Sequence, residues 1–253
     1  MNYLSSQGIK CPTPIKNSSL NYIGKIKSKP AALLTFLNGK STLNIKKNHT
    51  FEIGKVLAEM HISTKDFPMK KKNDLSIIGW EKLLIKNKDK INKFESNLFE
   101  KIKNKIIKIK EKWPKNLPSG IIHGDLFPDN VLFKEEKVSG LIDFYFSCND
   151  FFIYDICICI NAWCFNEKNE LKKDFFNNLI RGYQSVRKLE KEEIILIPFL
   201  CHASSLRFFL TRIDNWKNKN DLDIVNYQDP MEFLEIIKFH ELNADKGYYN
   251  LNE

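Results

Sequence analysis

His123-Gly124-Asp125-Leu126-Phe127-Pro128-Asp129-Asn130-Val131-Leu132-Phe133, followed by Gly140-Leu141-Ile142-Asp143-Phe144, is the stretch that decides how this chain is read. Its frame is apolar and rich in β-branched residues. Gly120-Ile121-Ile122 precedes it, and Val131-Leu132-Phe133 and residues 138–143 flank Lys134-Glu135-Glu136-Lys137, which has the composition of a hairpin turn. The polar residues therefore fall on a loop held between strands, where working side chains are commonly placed on a rigid scaffold. The pattern is H-x-D-x-x-x-x-N, with a second Asp thirteen residues after the Asn, at the end of a strand. Each part alone has an ordinary explanation. An Asp-Asn pair in a loop is usually turn chemistry, and a single His is more often packed than reactive. The conjunction of spacing, strand context and second Asp lifts the pattern above those explanations.

Phosphoryl transfer asks for little covalent chemistry from a protein. It needs a carboxylate that accepts or orients the attacking hydroxyl's proton, and hard oxygen ligands that hold Mg²⁺ against the phosphates. Asp125 suits the first role, and Asn130 with Asp143 suits the second. Protein kinases carry the same three roles: the catalytic-loop Asp, the Asn five residues on, and the Asp after the following hairpin. His123 reads as a brace for the loop backbone. Asp129 reads as a turn or supporting residue.

Working outward, the chain begins with little pattern. Each proline of Cys11-Pro12-Thr13-Pro14 disfavours helix at the residue before it. Residues 20–27 fit one strand. The apolar run 31–37 has the length of a buried strand, ending in a turn at Asn38-Gly39. From about Asn48 the spacing becomes helical through Phe51, Val56, Leu57, Met60 and His61, with Thr50 as the expected cap. Ile91, Phe94, Leu98, Phe99, Ile102, Ile106, Ile109 and Trp113 then step mostly by three and four, with lysines between. This predicts one amphipathic helix stopped by Pro114. After the strands the chain is again helical, at roughly 151–165, 171–187, 191–216 and 230–246. No repeat or low-complexity linker interrupts it. The reading is a little β-structure followed by a mostly α-helical lobe.

Composition narrows the partners. The 253 residues carry a formal net charge of +9, which invites a nucleic-acid reading. Only four of the 40 basic residues are arginines, however: Arg181, Arg187, Arg207 and Arg212. The rest are scattered lysines, whereas nucleic-acid sites favour clustered Arg with stacking aromatics. We therefore expect no nucleic-acid partner. The longest apolar stretch, 194–210, is broken by Pro198, His202 and Arg207, and the first residues lack the apolar core of a signal peptide. A cytoplasmic protein with no membrane partner is the expectation. The six cysteines form no C-x-x-C pair and sit among apolar neighbours, so they read as reduced core residues.

The loop resembles the catalytic loop of the aminoglycoside phosphotransferase and choline kinase superfamily. The continuation from Ser139 through Asp143-Phe144-Tyr145-Phe146-Ser147-Cys148-Asn149-Asp150, then Tyr154-Asp155 and Asn161-Ala162-Trp163-Cys164-Phe165, is closer still to bacterial homoserine kinases of that superfamily. So are Pro30-Ala31-Ala32, Thr35-Phe36-Leu37-Asn38-Gly39, and Leu206-Arg207-Phe208-Phe209-Leu210-Thr211-Arg212 with Trp216. The resemblance runs from about Gly8 to about His240.

It implies an α+β, protein-kinase-like two-lobed fold. Residues 1–38 would be a remnant of the β-rich N-terminal lobe and its connector, and residues 39–253 the mostly α-helical C-terminal catalytic lobe. ATP would lie between the lobes, its adenine against Thr35, Phe36 and Leu37. The γ-phosphoryl group would pass to the hydroxyl of L-homoserine, giving O-phospho-L-homoserine on the route to threonine. For the substrate's carboxylate, Arg207 or Arg212 offers a bidentate clamp; the alternative is that they pair with Asp150, Asp155 or Asp214 to hold helices together. Asn149 and Asp150 are candidates for the ammonium. Tyr145 and Trp163 either wall the pocket or belong to the core, and Asp155 reads as structural.

The match departs from the family in one respect. The family's first strands and helix, with the loop covering the phosphates, precede the region matching Gly8, and no G-x-G-x-x-G or G-x-x-x-x-G-K-[ST] occurs here. Met1 is then either a late start, the edge of a truncated gene, or a loss that a partner chain compensates. A shortened lobe would expose apolar surface and strand edges, which implies poor solubility or a homodimer. Kinase activity on another amino alcohol such as choline, and a pseudokinase without turnover, are the competing functions.

Overall fold

The computed structural model describes residues 1–216 and 229–251. A short helix α1 (Asn2–Ser6) opens the chain. It is followed by four small strands, β1 (Pro14–Ile15), β2 (Gly24–Ile26), β3 (Lys29–Ala31) and β4 (Leu33–Leu34). β2 pairs with β3 inside an outer pairing of β1 with β4, so residues 14–34 form one nested antiparallel hairpin. The expected single strand over 20–27 and buried strand over 31–37 are both replaced by these pieces. Leu33 and Leu34 are exposed, and Phe36 just beyond the hairpin is 89% exposed.

The helical body follows as α2 (Lys47–Ser63), α3 (Ile77–Lys86), α4 (Lys88–Phe94) and α5 (Leu98–Lys112). Thr50 lies inside α2 and bonds back to the Lys47 carbonyl at 2.8 Å, so it is not the cap; Lys46 occupies that position. The helix expected from Ile91 to Trp113 is broken. Asn97 adopts a left-handed conformation at φ 60°, which ends α4 and starts α5 at a new angle. Both pieces keep the apolar stripe buried through Ile91, Leu98, Ile102, Ile106 and Ile109. Trp113 closes α5 in extended conformation before Pro114.

The β-rich segment holds β5 (Ser119–Ile122), β6 (Val131–Lys134), β7 (Lys137–Leu141) and β8 (Cys148–Phe151). β6 and β7 form the expected hairpin, with Lys134 opposite Lys137. β5 pairs with β8, setting Ile122 opposite Cys148 and Ile121 opposite Asn149. Then come α6 (Phe152–Trp163), α7 (Lys173–Gln184), α8 (Lys191–Ile195), α9 (Ile197–Asn215) and α10 (Pro230–Asn243). Pro198 splits the expected 191–216 helix by taking the first turn of α9, where its missing N–H costs nothing.

α6 is the central helix: from Ile153 to Ile160 no residue has appreciable exposure. It packs on α9, which carries α10 on a further side, while α2 and α7 lie together alongside. The α2–α7 contact is backbone to backbone. A Cβ placed on Gly54 would fall 2.0 Å from the Leu179 carbonyl oxygen, and one on Gly182 would fall 2.0 Å from that of Phe51. Only glycine at both positions allows so close a crossing. All six cysteines are free and buried. No described helix is long and apolar enough to cross a membrane.

Candidate active site

Residues 123–130 leave β5 and re-enter at β6, and Asp143 follows β7. Two bonds join these segments: Ile142 N–H donates to the Asn130 carbonyl at 3.0 Å, and His123 Nε2 meets the Ile142 carbonyl at 3.0 Å. The carbonyl can only accept, so Nε2 carries the proton, and Nδ1 has no partner among the described residues. His123 is fully buried, and burial lowers its pKa, which keeps the ring neutral. It thus braces the loop against the Asp143 segment.

Asn130 turns its amide nitrogen inward, donating to the Asp125 carbonyl at 2.8 Å and weakly to its carboxylate at 3.4 Å. The Asn130 side-chain oxygen accepts no hydrogen bond among the described residues and is free for a cation. Asp143 is left-handed at φ 59° and, among the described residues, accepts only a long bond, 3.3 Å, from Tyr145 N–H. Burial pushes the Asp125 carboxyl up to about 6. Arg207 opposes that rise, and the charges of Asp129, Asp143 and Asp155 add to it.

The support beneath the loop comes from α6. Asp155, fully buried, accepts from His123 N–H at 2.7 Å and from Gly124 N–H at 2.9 Å. Trp163 donates its indole N–H to the Leu126 carbonyl at 2.8 Å. Asp155 also accepts from His61 Nε2 of α2 at 3.2 Å, which leaves His61 Nδ1 to accept from Tyr183 of α7 at 2.8 Å. Tyr183 in turn accepts from Arg187 at 3.4 Å, and Arg187 forms a bidentate pair with buried Glu193. Burial lowers the His61 pKa and keeps it neutral. Burial alone would raise the Asp155 carboxyl, but the bonds from His61 and the Gly124 N–H hold it below the usual range. Asp155 was expected to be structural, and its bonds hold the candidate catalytic loop. His61 and Tyr183 carried no sequence signal for this role.

Gly124 is clamped from both sides. Its φ of +76° suits glycine, its N–H goes to Asp155, and its carbonyl accepts from Arg207 Nη1. Arg207 is 3% exposed and lies over the Phe208 ring at 4.1 Å, with Phe146 at 5.4 Å. Arg212, 9% exposed, bonds the Asp229 carbonyl at 2.9 Å and Glu232 at 2.6 Å. Among the described residues neither arginine pairs with Asp150, Asp155 or Asp214. Both instead line one cavity of about 150 Å³ together with Asp125 and Asp129.

The other expected pocket residues lie elsewhere. Tyr145 is 76% exposed, and Lys71 donates to its carbonyl. Asn149 exchanges bonds with the Lys71 backbone, and Asp150 accepts from Asn73 at 2.6 Å, because pairing with β5 turns β8 toward residues 71–73. Trp163 is core and loop anchor, not pocket wall. Thr35 bonds Thr13, and Phe36 is exposed. Leu37 packs so close to Gly140 of β7 that a Cβ there would lie 2.5 Å from its methyl. A larger apolar cavity of about 420 Å³ bordered by Phe144 contains no acidic side chain.

Known proteins resemble this chain in sequence and in fold. Residues 1–189 match the model of the phosphotransferase enzyme family. A homoserine kinase from Rhizobium etli is 41% identical over 252 residues, spanning 100% of this chain and 78% of the relative. The chain belongs to the homoserine kinase branch of the phosphotransferase enzyme family. Among solved structures, a choline/ethanolamine kinase family protein from Mesorhizobium loti superposes with a TM-score of 0.67 at 12% identity, covering 98% of this chain and 80% of that one. Amicoumacin kinase hAmiN, in complex with AMP-PNP, Ca²⁺ and Ami, superposes with a TM-score of 0.66 at 15% identity, covering 99% and 77%. These confirm the α+β kinase-like fold.

Proposed function

We propose that this chain transfers the γ-phosphoryl group of ATP to the side-chain hydroxyl of L-homoserine, with Mg²⁺ as the metal. The observation that carries the reading is the cavity in which Asp125 shares walls with two buried guanidiniums. A hydroxyl acid suits that cavity: its hydroxyl at Asp125, its carboxylate against Arg207 or Arg212. At about 150 Å³ it is below the roughly 300–1,000 Å³ of drug-sized ligand sites, which argues against an aminocyclitol antibiotic. Choline, a cation without a carboxylate, would leave Arg207, which has no ion pair among the described residues, without an anionic partner. The identity to homoserine kinases points the same way.

The acceptor hydroxyl gives its proton to the Asp125 carboxylate as its oxygen bonds to the γ-phosphorus. The bond to the β–γ bridging oxygen breaks, and ADP leaves with that electron pair. Asn130 and Asp143 fit a hard cation, since an amide oxygen and a nearly unpartnered carboxylate are both left available. Bound there, Mg²⁺ would neutralise charge on the transferring phosphates. Asp155 and His123 keep Asp125, Asn130 and Asp143 in register. We further propose that the 35–37 segment, with Leu37 on the hairpin leading to Asp143, borders the nucleotide. ADP release with Mg-ATP and L-homoserine, against choline and L-serine, tests the reading. Homoserine-selective release supports it, and equal or greater release with choline refutes it.

A further inference from the structure

The cavity beside Asp125 contains a second carboxylate whose purpose the phosphoryl-transfer chemistry does not supply. Asp129 lines it, on the 3-10 turn Pro128–Asn130 that Pro128 stiffens. Unlike Asp150, which is occupied by Asn73 and by the Phe151 N–H, Asp129 has no hydrogen bond or ion pair among the described residues. The remaining lining is two guanidiniums, three aromatic rings, and the uncharged Thr211 and Asn215. The guanidiniums are partly committed, to the Gly124 carbonyl and to Asp229 and Glu232, and both stay buried. A zwitterionic substrate in this cavity has its carboxylate matched by arginine. Its ammonium needs an anion, and Asp125 is taken by the hydroxyl. Among the described lining residues one free anion remains, Asp129.

We infer that Asp129 is the ammonium-binding residue and makes the site selective for an α-amino acid over the corresponding hydroxy acid. The inference rests on the homoserine reading and deepens it. It also replaces Asn149 and Asp150 as the candidates for that end of the substrate.

Three acceptors separate the contributions: L-homoserine, 4-hydroxybutyrate, which lacks the ammonium, and 3-aminopropan-1-ol, which lacks the carboxylate. Wild type and Asp129→Asn are compared with each, with thermal melting as a control on folding. For the variant, KM for homoserine and for 3-aminopropan-1-ol should rise about tenfold to a hundredfold, the worth of one charge-assisted hydrogen bond, while kcat stays within about twofold. KM for 4-hydroxybutyrate should be unchanged, and Asp129→Glu should recover part of the homoserine loss. An equal rise for all three acceptors overturns the inference, as does an unchanged KM for homoserine. So does a fall in kcat with a shifted Mg²⁺ requirement, which would make Asp129 a support for the metal. A wild-type protein that ignores homoserine yet phosphorylates choline removes the functional reading itself, and is told apart by the wild-type arm alone.

Discussion

Asp155→Asn tests whether a buried carboxylate holds the catalytic loop. The wild-type side chain accepts from the N–H groups of His123 and Gly124 and from His61 Nε2. The amide of Asn has one oxygen, so one of the two backbone N–H groups must face a donor. An unsatisfied buried donor costs about 1–3 kcal/mol. At about 2 kcal/mol the melting temperature of a chain this size falls by roughly 4–8 °C. His61 can adapt by exchanging tautomers, since Tyr183 offers both a donor and an acceptor, so the damage concentrates at the loop. A loop displaced by a fraction of an ångström moves Asp125 and Asn130 together, and misplacement on the scale of 1 Å costs up to about a hundredfold in rate. The assay is a melt in parallel with steady-state ADP release at saturating ATP. A variant with wild-type melting temperature and wild-type kcat would refute the role given to Asp155.

Other expectations follow from the same geometry. Asp125→Asn should lower kcat by at least about a hundredfold, the typical range for removing a general base, while circular dichroism and melting stay close to wild type. Gly182→Ala places a Cβ 2.0 Å from the Phe51 carbonyl oxygen, where neither backbone can yield; overpacking of about 1–3 kcal/mol or more should appear as a lower urea midpoint. His61, His123 and His240 are buried and held below the ordinary histidine value by that burial. Their contribution to stability is complete above about pH 6.5 and is lost as pH falls, because the unfolded chain takes up protons the folded one refuses. Three such groups give a slope of up to about 4 kcal/mol per pH unit, so the melting temperature should drop from pH 7 to pH 5. A flat profile would contradict the neutral state of these rings.

The candidate loop was legible because its proposed chemistry is local: Asp125, Asn130 and Asp143 fall within one β-hairpin's reach of sequence, and strand context marked them as candidates. Arg207 and Arg212 stood out through the scarcity of arginine. Asp155, His61 and Tyr183 did not, since their bonds span tens of residues and each looks like an ordinary polar residue in an apolar helix. Tyr145, Asn149 and Asp150 were grouped with the pocket through the family resemblance; the structure leaves Tyr145 exposed with its carbonyl on Lys71, and β8 carries Asn149 and Asp150 to Lys71 and Asn73. Helix periodicity located the apolar stripe of 91–113 but not its break, because a left-handed Asn97 leaves the hydrophobic spacing intact.

Gly124 sits between Asp155 and Arg207, giving its N–H to one and its carbonyl to the other. The two opposite charges thus compensate each other through a single residue without touching, an ion pair insulated by main chain. A direct contact would turn each charge's best face toward its partner. Here the carboxylate keeps an oxygen for His61, and the guanidinium keeps donors for an anion from outside. The protein gains near-neutrality inside the loop's foundation, and Arg207, the proposed substrate clamp, is positioned by the same backbone that carries Asp125, the proposed base.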